Sequence, residues 1–222
     1  MGLFDKIKKE RNQKEADKQD NEAVGWDAIT EACETVYPTQ KDPKHYGTLI
    51  SWELGGNDPL QGISIYDGGD FWHFVTYGLS ELYKKETNNK EISGYGMEFT
   101  FKLKKDNYAD EESEIKCICG ILQAVARITF TRGEVFRANE FLYTGQTQGI
   151  DAYKKSNITG FIMVPDTNFN SINTPNGKLD FVEFIGATDA ELRALKDKQL
   201  TVQDLYSKLG TDVTSYNRQS VI

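Results

Sequence analysis

The sequence has no long hydrophobic run and no excess of positive charge, and it contains little proline. No segment approaches the roughly 18–20 consecutive apolar residues of a membrane-spanning helix, which excludes an integral membrane protein. The 26 Lys and Arg residues are outnumbered by 34 Asp and Glu residues, so the net charge is −8. A protein that binds nucleic acid through its phosphates needs the opposite balance, and no nucleic-acid partner is predicted.

Cysteine is scarce as well. The chain has three cysteines and no apolar segment that resembles a signal peptide, which together favour a reducing, cytoplasmic location. Cys117 and Cys119 are separated by one residue in an apolar run, and the sequence has no second pair of metal-ligand residues to accompany them. This pattern favours packing in the core, with a metal or redox role as the alternative. We predict neither a cofactor nor a metal.

The composition is that of a globular protein. Of 222 residues, 38% are hydrophobic and 12% are aromatic, which is too rich for a disordered chain. Residues 1–20 are densely charged and are predicted to form an extension, with a helix as its expected local structure, before a single domain that spans residues 21–222. Leu3, Phe4 and Ile7 make a small apolar stripe in the extension at helical spacing. The stripe has three interpretations: one face of a solvated helix, a weak docking stripe for a partner or a membrane surface, and a dimer contact.

The first half of the domain alternates one helix with several strands. Apolar residues at three- to four-residue spacing predict a helix over Trp26–Tyr37, which Pro38 ends. The strand predictions are His45–Leu54, a hairpin formed by Ile63–Tyr66 and Phe71–Tyr77, and Met97–Leu103. In the last of these, apolar and polar residues alternate, which predicts a half-buried strand.

The second half begins with the longest predicted helix, Ser113–Phe130, whose acidic start suits the helix dipole. The remaining predictions are strands near Val135–Tyr143, Gly160–Val164 and Leu179–Ile185, a long polar loop over Asn168–Lys178, and helices over Asp189–Lys196 and Thr201–Leu209. Strands and helices mix without a regular strand–helix–strand alternation, which indicates the α+β class.

Residues suited to catalysis are few. The chain has two histidines, His45 and His73, and both are placed at or within predicted strands. None of the local motifs typical of serine hydrolases, phosphate-binding loops, dinucleotide-binding folds or zinc proteases occurs. We therefore interpret both histidines as structural and predict no catalytic residues and no enzyme. A hydrolase or transferase that uses His73 or His45 is the alternative.

Three segments resemble the Suppressor of fused family. Residues 54–60 read LGGNDPL, residues 72–83 read WHFVTYGLSELY, and residues 93–103 read SGYGMEFTFKL. Each is similar to a family motif, and the three occur in the family's order. The resemblance runs from about Trp26 to the C-terminus and corresponds to the family's N-terminal domain alone. It implies a single domain with a mixed, mainly antiparallel sheet flanked by helices.

The resemblance also implies a binding protein. Eukaryotic members hold zinc-finger transcription factors by clamping an extended segment between two domains. Single-domain members occur in bacteria, and many have been proposed as immunity proteins against toxins. The expected function is therefore to sequester or neutralise a partner protein, which is a toxin domain or a peptide segment. No oligomeric state is predicted.

The family's peptide-contacting residues map onto four positions. Ile128, at the end of the long helix, stands where eukaryotic members have a tyrosine. Phe136 matches a phenylalanine, and Glu140 matches an aspartate and keeps the carboxylate. A second acidic contact falls on Pro165, with Asp166 beside it. The resemblance thus predicts Ile128, Phe136, Glu140 and Asp166 as protein-binding residues.

Overall fold

The computed structural model describes residues 22–222, and the predictions for residues 1–20 lie outside that range. The described chain has four helices, eight strands and one 3₁₀ turn. In chain order these are α1 (Val24–Val36), β1 (Lys44–Gly47), the 3₁₀ turn (Trp52–Leu54), β2 (Gly62–Asp67), β3 (Phe71–Tyr77), β4 (Ile92–Lys104), α2 (Glu111–Arg132), β5 (Phe141–Leu142), β6 (Ile158–Pro165), β7 (Ile172–Thr174), β8 (Gly177–Thr188), α3 (Asp189–Lys196) and α4 (Val202–Leu209).

All eight strands belong to one sheet with the order β1-β2-β3-β4-β8-β6-β5, and β7 pairs with β8 to the side of this path. β4 and β8 are parallel, while every other neighbouring pair is antiparallel. The fold is therefore α+β, a single domain with a mixed, mainly antiparallel sheet and flanking helices, as the sequence and the resemblance predicted. No helix in residues 22–222 has the length and apolar character needed to span a bilayer.

Local signals set the helix ends. α2 begins where the Asp110 side chain accepts a hydrogen bond from the backbone N–H of Ser113 at 3.2 Å. It ends at Gly133, which adopts the left-handed conformation with φ 72°. α3 and α4 each start with a reciprocal capping box, formed by Thr188 with Glu191 and by Thr201 with Asp204. The predicted helices are confirmed to within a few residues.

Helices cover both faces of the sheet. On the first face, α2 packs over a core that includes Phe99, Phe101 and Phe184. On the second face, α1 covers β2 and β3, and the α3–α4 pair covers β6 and β8. The middle of the second face, between these two apolar regions, is occupied by charged side chains of β4 and β8.

Because both faces of the sheet are covered, the prediction that β4 is a half-buried strand is wrong. The strand is buried on both faces, since Glu98, Thr100 and Lys102 are no more exposed than the phenylalanines between them. Alternating polarity normally marks a solvent-facing side. Here the polar side chains lie in the interior, where each finds a charged or hydrogen-bonding partner.

Two predicted strands are shorter than expected. The strand predicted over His45–Leu54 stops at Gly47, because residues 48–56 leave the sheet and expose Leu49 and Ile50. Of Val135–Tyr143, only Phe141–Leu142 pairs with a neighbour. A turn at Asn139, with φ 72°, interrupts the preceding residues. The loop predicted over Asn168–Lys178 contains the short strand β7.

The cysteines are free thiols. Cys33 and Cys119 are buried, and Cys117 is half-buried with its Sγ 3.1 Å from the backbone oxygen of Ile150. Within the described part of the chain, no three His, Cys, Asp or Glu side chains cluster so as to hold a metal ion.

Candidate functional site

A groove of about 420 Å³ separates α2 from the β5 edge of the sheet. Its α2 wall is a stripe at helical spacing made of Cys117, Ile121, Ala124 and Ile128, and Leu142 of β5 faces this wall. The stretch from Thr144 to Lys154 closes one end. The lining is mainly apolar, and Ala124 of the stripe is exposed, so the groove is open to solvent. An apolar side chain of a second polypeptide would bury surface here.

The strand beside the groove is an edge strand. β5 pairs with β6 through Phe141 with Ile162 and Leu142 with Phe161, and its other side has no partner strand among residues 22–222. Phe141 is 37% exposed. An unpaired edge offers backbone N–H and C=O groups to an added strand, which is how sheets bind extended peptides.

Two of the four predicted binding residues lie at this site. Ile128 is half-buried and lines the groove. Glu140 is exposed and directly precedes β5. Its carboxylate accepts a hydrogen bond from the backbone N–H of Arg137 at 2.8 Å, and its backbone oxygen accepts one from Met163 at 2.9 Å. These two bonds fix the chain where it enters the edge strand, while the second carboxylate oxygen has no hydrogen bond from any residue in 22–222.

The structure places the other two predicted residues in the interior. Phe136 is 7% exposed, and its ring centroid lies 5.9 Å from that of Phe99 and 6.0 Å from that of Phe184. Asp166 is 6% exposed and belongs to the charged cluster on the second face of the sheet, opposite α2. Phe136 and Asp166 therefore support the fold from the interior, whereas Ile128 and Glu140 are accessible at the surface.

Thr159 is a groove residue that the sequence analysis missed. It lies in the part of β6 that extends past β5, is 6% exposed, and its buried Oγ1 has no hydrogen-bond partner among residues 22–222. An unpaired buried hydroxyl is costly, so Thr159 is an unsatisfied polar group in the wall of the groove. The α2 stripe could have been found from the sequence, because its residues are spaced by four, three and four positions, as on one face of a helix. Nothing in the sequence around Thr159 distinguishes this residue.

Apart from the groove, the structure contains a buried cluster of charged side chains around Lys102. Its Nζ lies 2.6 Å from Asp212 Oδ2, 3.0 Å from Glu183 Oε2 and 3.8 Å from Asp166 Oδ1. Lys102 is 1% exposed, so one ammonium group faces three carboxyl groups almost without solvent. Burial alone would raise the pKa of Asp166, but hydrogen bonding to His73 and the charge of Lys102 lower it to about 2.

His73 is held in this cluster as a neutral ring. Its Nδ1 accepts from the Tyr37 hydroxyl at 2.8 Å, and its Nε2–H donates to Asp166 Oδ2 at 3.0 Å. Burial lowers the pKa of His73 even though Asp166 acts in the opposite direction. The ring is 0% exposed, so a substrate has no access to it. His73 is therefore a hydrogen-bonded structural residue in this fold.

His45, the other histidine, is also poorly placed to act as a general base. Its Nδ1 lies 3.0 Å from Ser64 Oγ, and Trp26 packs near the ring with centroids 5.5 Å apart. Ser64 is 4% exposed, and no carboxylate of the described residues is hydrogen-bonded to His45. A serine nucleophile requires an exposed hydroxyl and an oriented base. Neither condition is met here.

We expect Glu183 to give the stability a distinctive pH dependence. Burial, together with the nearby charge of Asp166, raises the pKa of Glu183 well above its ordinary value of 4.5, although Lys102 opposes the shift. The folded state then keeps a proton that the unfolded state releases, so the stabilisation by this proton is present below pH 4.5 and is lost as pH rises through the folded pKa.

The Glu183→Gln variant removes this pH-dependent stabilisation. The free energy of unfolding of the parent chain minus that of the variant should fall with rising pH, by at most about 1.4 kcal/mol per pH unit. Urea unfolding at several pH values measures this difference, and a constant value would contradict the assignment.

Comparison with known proteins gives one family. The family model described as Suppressor of fused protein (SUFU) matches residues 56–219. Among curated proteins, the Suppressor of fused homologs of Homo sapiens and Mus musculus are each 27% identical over an alignment of 183 residues, and the alignment covers 77% of this chain. The aligned region is 37% of the length of each relative. The chain thus spans little more than a third of the curated proteins it matches.

Solved structures agree with the described fold. A chain in the crystal structure of the Sufu–Fu complex matches with a TM-score of 0.76 and 28% identity over 90% of this chain and 93% of that one. Drosophila Suppressor of Fused matches with a TM-score of 0.77 and 27% identity over 90% of this chain and 51% of that one.

A SUFU homologue from Neisseria gonorrhoeae shares the fold at 14% identity, with a TM-score of 0.56 over 89% of this chain and 97% of that one. The family match extends over most of the described domain and includes the groove, the edge strand and the buried charged cluster. The chain therefore belongs to the Suppressor of fused family.

Proposed function

We propose that this chain is a non-catalytic protein-binding domain that holds an extended segment of a partner along β5 and in the groove beside α2. The observation that carries this proposal is the unpaired edge of β5 next to an open apolar groove. Backbone hydrogen bonds to β5 supply affinity, and an apolar side chain in the groove supplies selectivity. One relative is known from a complex, that of Sufu with Fu, which supports a binding role for the fold.

In this proposal, Ile128 and Glu140 touch the partner, and Phe136 and Asp166 maintain the surface from below. Ile128 contributes apolar contact in the groove. Glu140 uses its free carboxylate oxygen to accept a hydrogen bond from the partner where the strand begins. Binding sequesters the partner, and neutralisation of a toxin domain in a reducing cytoplasm is the biological form that we favour. A basic toxin would be attracted by the net charge of −8, which speeds association and makes it sensitive to salt.

The test begins with selection from a library of random peptides displayed on phage, using the full chain as bait. Affinities of the recovered peptides are then measured by isothermal titration. Ile128→Glu should weaken binding at least about tenfold, because it places a charge in the apolar groove. Glu140→Lys should cost about 1–3 kcal/mol of binding free energy, because it reverses a charge that accepts hydrogen bonds.

Matched controls are available outside the lining of the groove. Leu49 is fully exposed on the 48–56 loop, so Leu49→Glu should leave affinity unchanged. Glu134 is an exposed glutamate near the end of α2, and Glu134→Lys serves as the charge control. Peptides whose affinity is unaffected by both Ile128→Glu and Glu140→Lys would place the binding surface elsewhere. Thermal unfolding of each variant checks that the fold is retained.

The alternative of a hydrolase or transferase is less well supported. It needs an accessible histidine beside a nucleophile, whereas His73 is closed off and Ser64 is buried behind His45. Turnover of a general ester substrate that disappears in the His45→Gln variant would favour it over the binding proposal.

A further inference from the structure

A second cavity lies on the other side of the C-terminal end of α2. It has a volume of about 310 Å³ and is bounded by the 3₁₀ turn, the chain that follows β3, and the last turn of α2. Ile128 faces the groove described above, whereas Phe130, two residues later, lines this cavity. The volume is at the lower end of the range for small-ligand pockets and suits a single side chain.

Aromatic rings form its walls. The ring centroids of Trp52 and Phe130 are 5.8 Å apart at an interplanar angle of 66°, and those of Tyr95 and Phe130 are 5.3 Å apart at 60°. All three side chains are half-buried, and Tyr83 also lines the cavity with its ring 42% exposed. We call the four rings of Trp52, Tyr83, Tyr95 and Phe130, all of which line the cavity, the aromatic box.

The lining also carries unused negative charge. It contains three glutamates and one lysine, Lys84. The Glu81 carboxylate is fully engaged, because it accepts hydrogen bonds from Lys85 Nζ and from three backbone N–H groups. The carboxylates of Glu53 and Glu86 are exposed, and neither has a hydrogen bond or ion pair within residues 22–222. Two free carboxylates therefore stand at an aromatic box.

We propose that this cavity binds the cationic side chain of a lysine or arginine carried by a partner polypeptide. Aromatic faces attract an ammonium or guanidinium group, and the attraction is strongest where water is partly excluded. Glu53 and Glu86 complement the charge, while the rings pack against the aliphatic stem of the side chain. This site is separate from the β5 groove, so its occupancy does not depend on the proposed function.

The test uses three blocked tripeptides, Gly-Arg-Gly, Gly-Lys-Gly and the neutral Gly-norleucine-Gly, titrated into the full-length chain. Binding is followed by NMR through the indole N–H signal of Trp52, one of three tryptophans in the chain. We expect saturable shifts of this signal with the arginine or lysine peptide, and at least about tenfold weaker binding of the norleucine peptide. Equal binding of all three peptides, or no shift with either cationic peptide, would overturn the proposal.

Variants identify the groups responsible. Trp52→Ala should weaken the cationic peptide at least about tenfold, and the double change Glu53→Gln with Glu86→Gln should weaken it several-fold without affecting the norleucine peptide. These three side chains are at the surface or half-buried, so the fold should be retained. Binding that is unchanged in both variants would refute the site. Choline is the final probe, and tighter binding of choline than of either cationic peptide would refute a polypeptide as the source of the cation.

Discussion

Replacing Lys102 with methionine is expected to lower the free energy of unfolding by about 3–5 kcal/mol. The substitution keeps most of the side-chain volume but removes the ammonium group. Its three partners, Asp166, Glu183 and Asp212, would then face one another without a compensating charge. Asp166 and Glu183 are 0% exposed in their side chains, so water cannot replace the lost interaction. Chemical unfolding in urea, followed by tryptophan fluorescence, measures the change.

Lys178 provides the matched control for this substitution. It pairs with Asp180 at 3.1 Å, but the two side chains are 54% and 48% exposed. Lys178→Met should therefore change stability by less than about 1 kcal/mol. A second comparison is the double variant Lys102→Met with Glu183→Leu, which removes one uncompensated carboxyl group and should recover part of the loss. A cost for Lys102→Met no larger than that for Lys178→Met would refute the role assigned to the cluster.

Replacing Glu98 with alanine is expected to destabilise the fold on the order of 4 kcal/mol. The Glu98 carboxylate is fully buried and is surrounded by donors. Oε1 accepts from the backbone N–H groups of Gly78, Leu79 and Ser80 at 2.9–3.1 Å and from Ser80 Oγ at 2.7 Å. Oε2 accepts from Thr76 Oγ1 at 2.7 Å. Removal of this single side chain leaves several buried donors without an acceptor.

Urea unfolding tests the Glu98 prediction as well. Glu53→Ala is the control, because Glu53 is exposed and makes no hydrogen bond within the described chain. Its effect should be within about 0.5 kcal/mol. If Glu98→Ala were equally mild, the loop after β3 would have to be stabilised by something other than this carboxylate.

The Glu98 interactions explain one motif of the family resemblance. Residues 78–80, Gly-Leu-Ser, wrap around the carboxylate that β4 presents from within the third motif. Gly78 adopts φ 134°, and a Cβ at this position would lie 2.9 Å from the backbone nitrogen of Gln61. The motif thus fixes a loop onto the sheet. It identifies the scaffold, whereas the binding surface that we propose lies at β5 and α2.

The motifs and the proposed binding surface occupy different parts of the fold, so a family with one scaffold could present different binding surfaces. The buried parts of the motifs hold the sheet and its covering loops together, whereas the half-buried side chains of the groove pack on the outside of this core. Ile128, at the position of a tyrosine in eukaryotic members, is half-buried at the groove wall. A change at such a position alters the shape of the groove while the core beneath it stays intact.

The sequence alone determined most of the secondary structure. The helices are set by short-range signals such as the Asp110 cap of α2 and the capping boxes of α3 and α4, all formed within three residues. The hairpin of β2 and β3 follows from two strand-forming segments joined by a short turn. Each of these features depends on neighbours along the chain, and the local pattern is therefore enough to predict it.

The tertiary structure decided which polar residues are inside and where the predicted binding residues lie. Lys102 looked solvent-facing because its partners Thr167, Glu183 and Asp212 are 65, 81 and 110 residues away in sequence. The same is true of Asp166, which lies inside although the resemblance placed it at the surface. The burial of a side chain depends on what covers its face of the sheet, and here the cover comes from distant segments. Local periodicity carries no information about that cover, so only the folded chain could separate the binding surface from the interior that supports it.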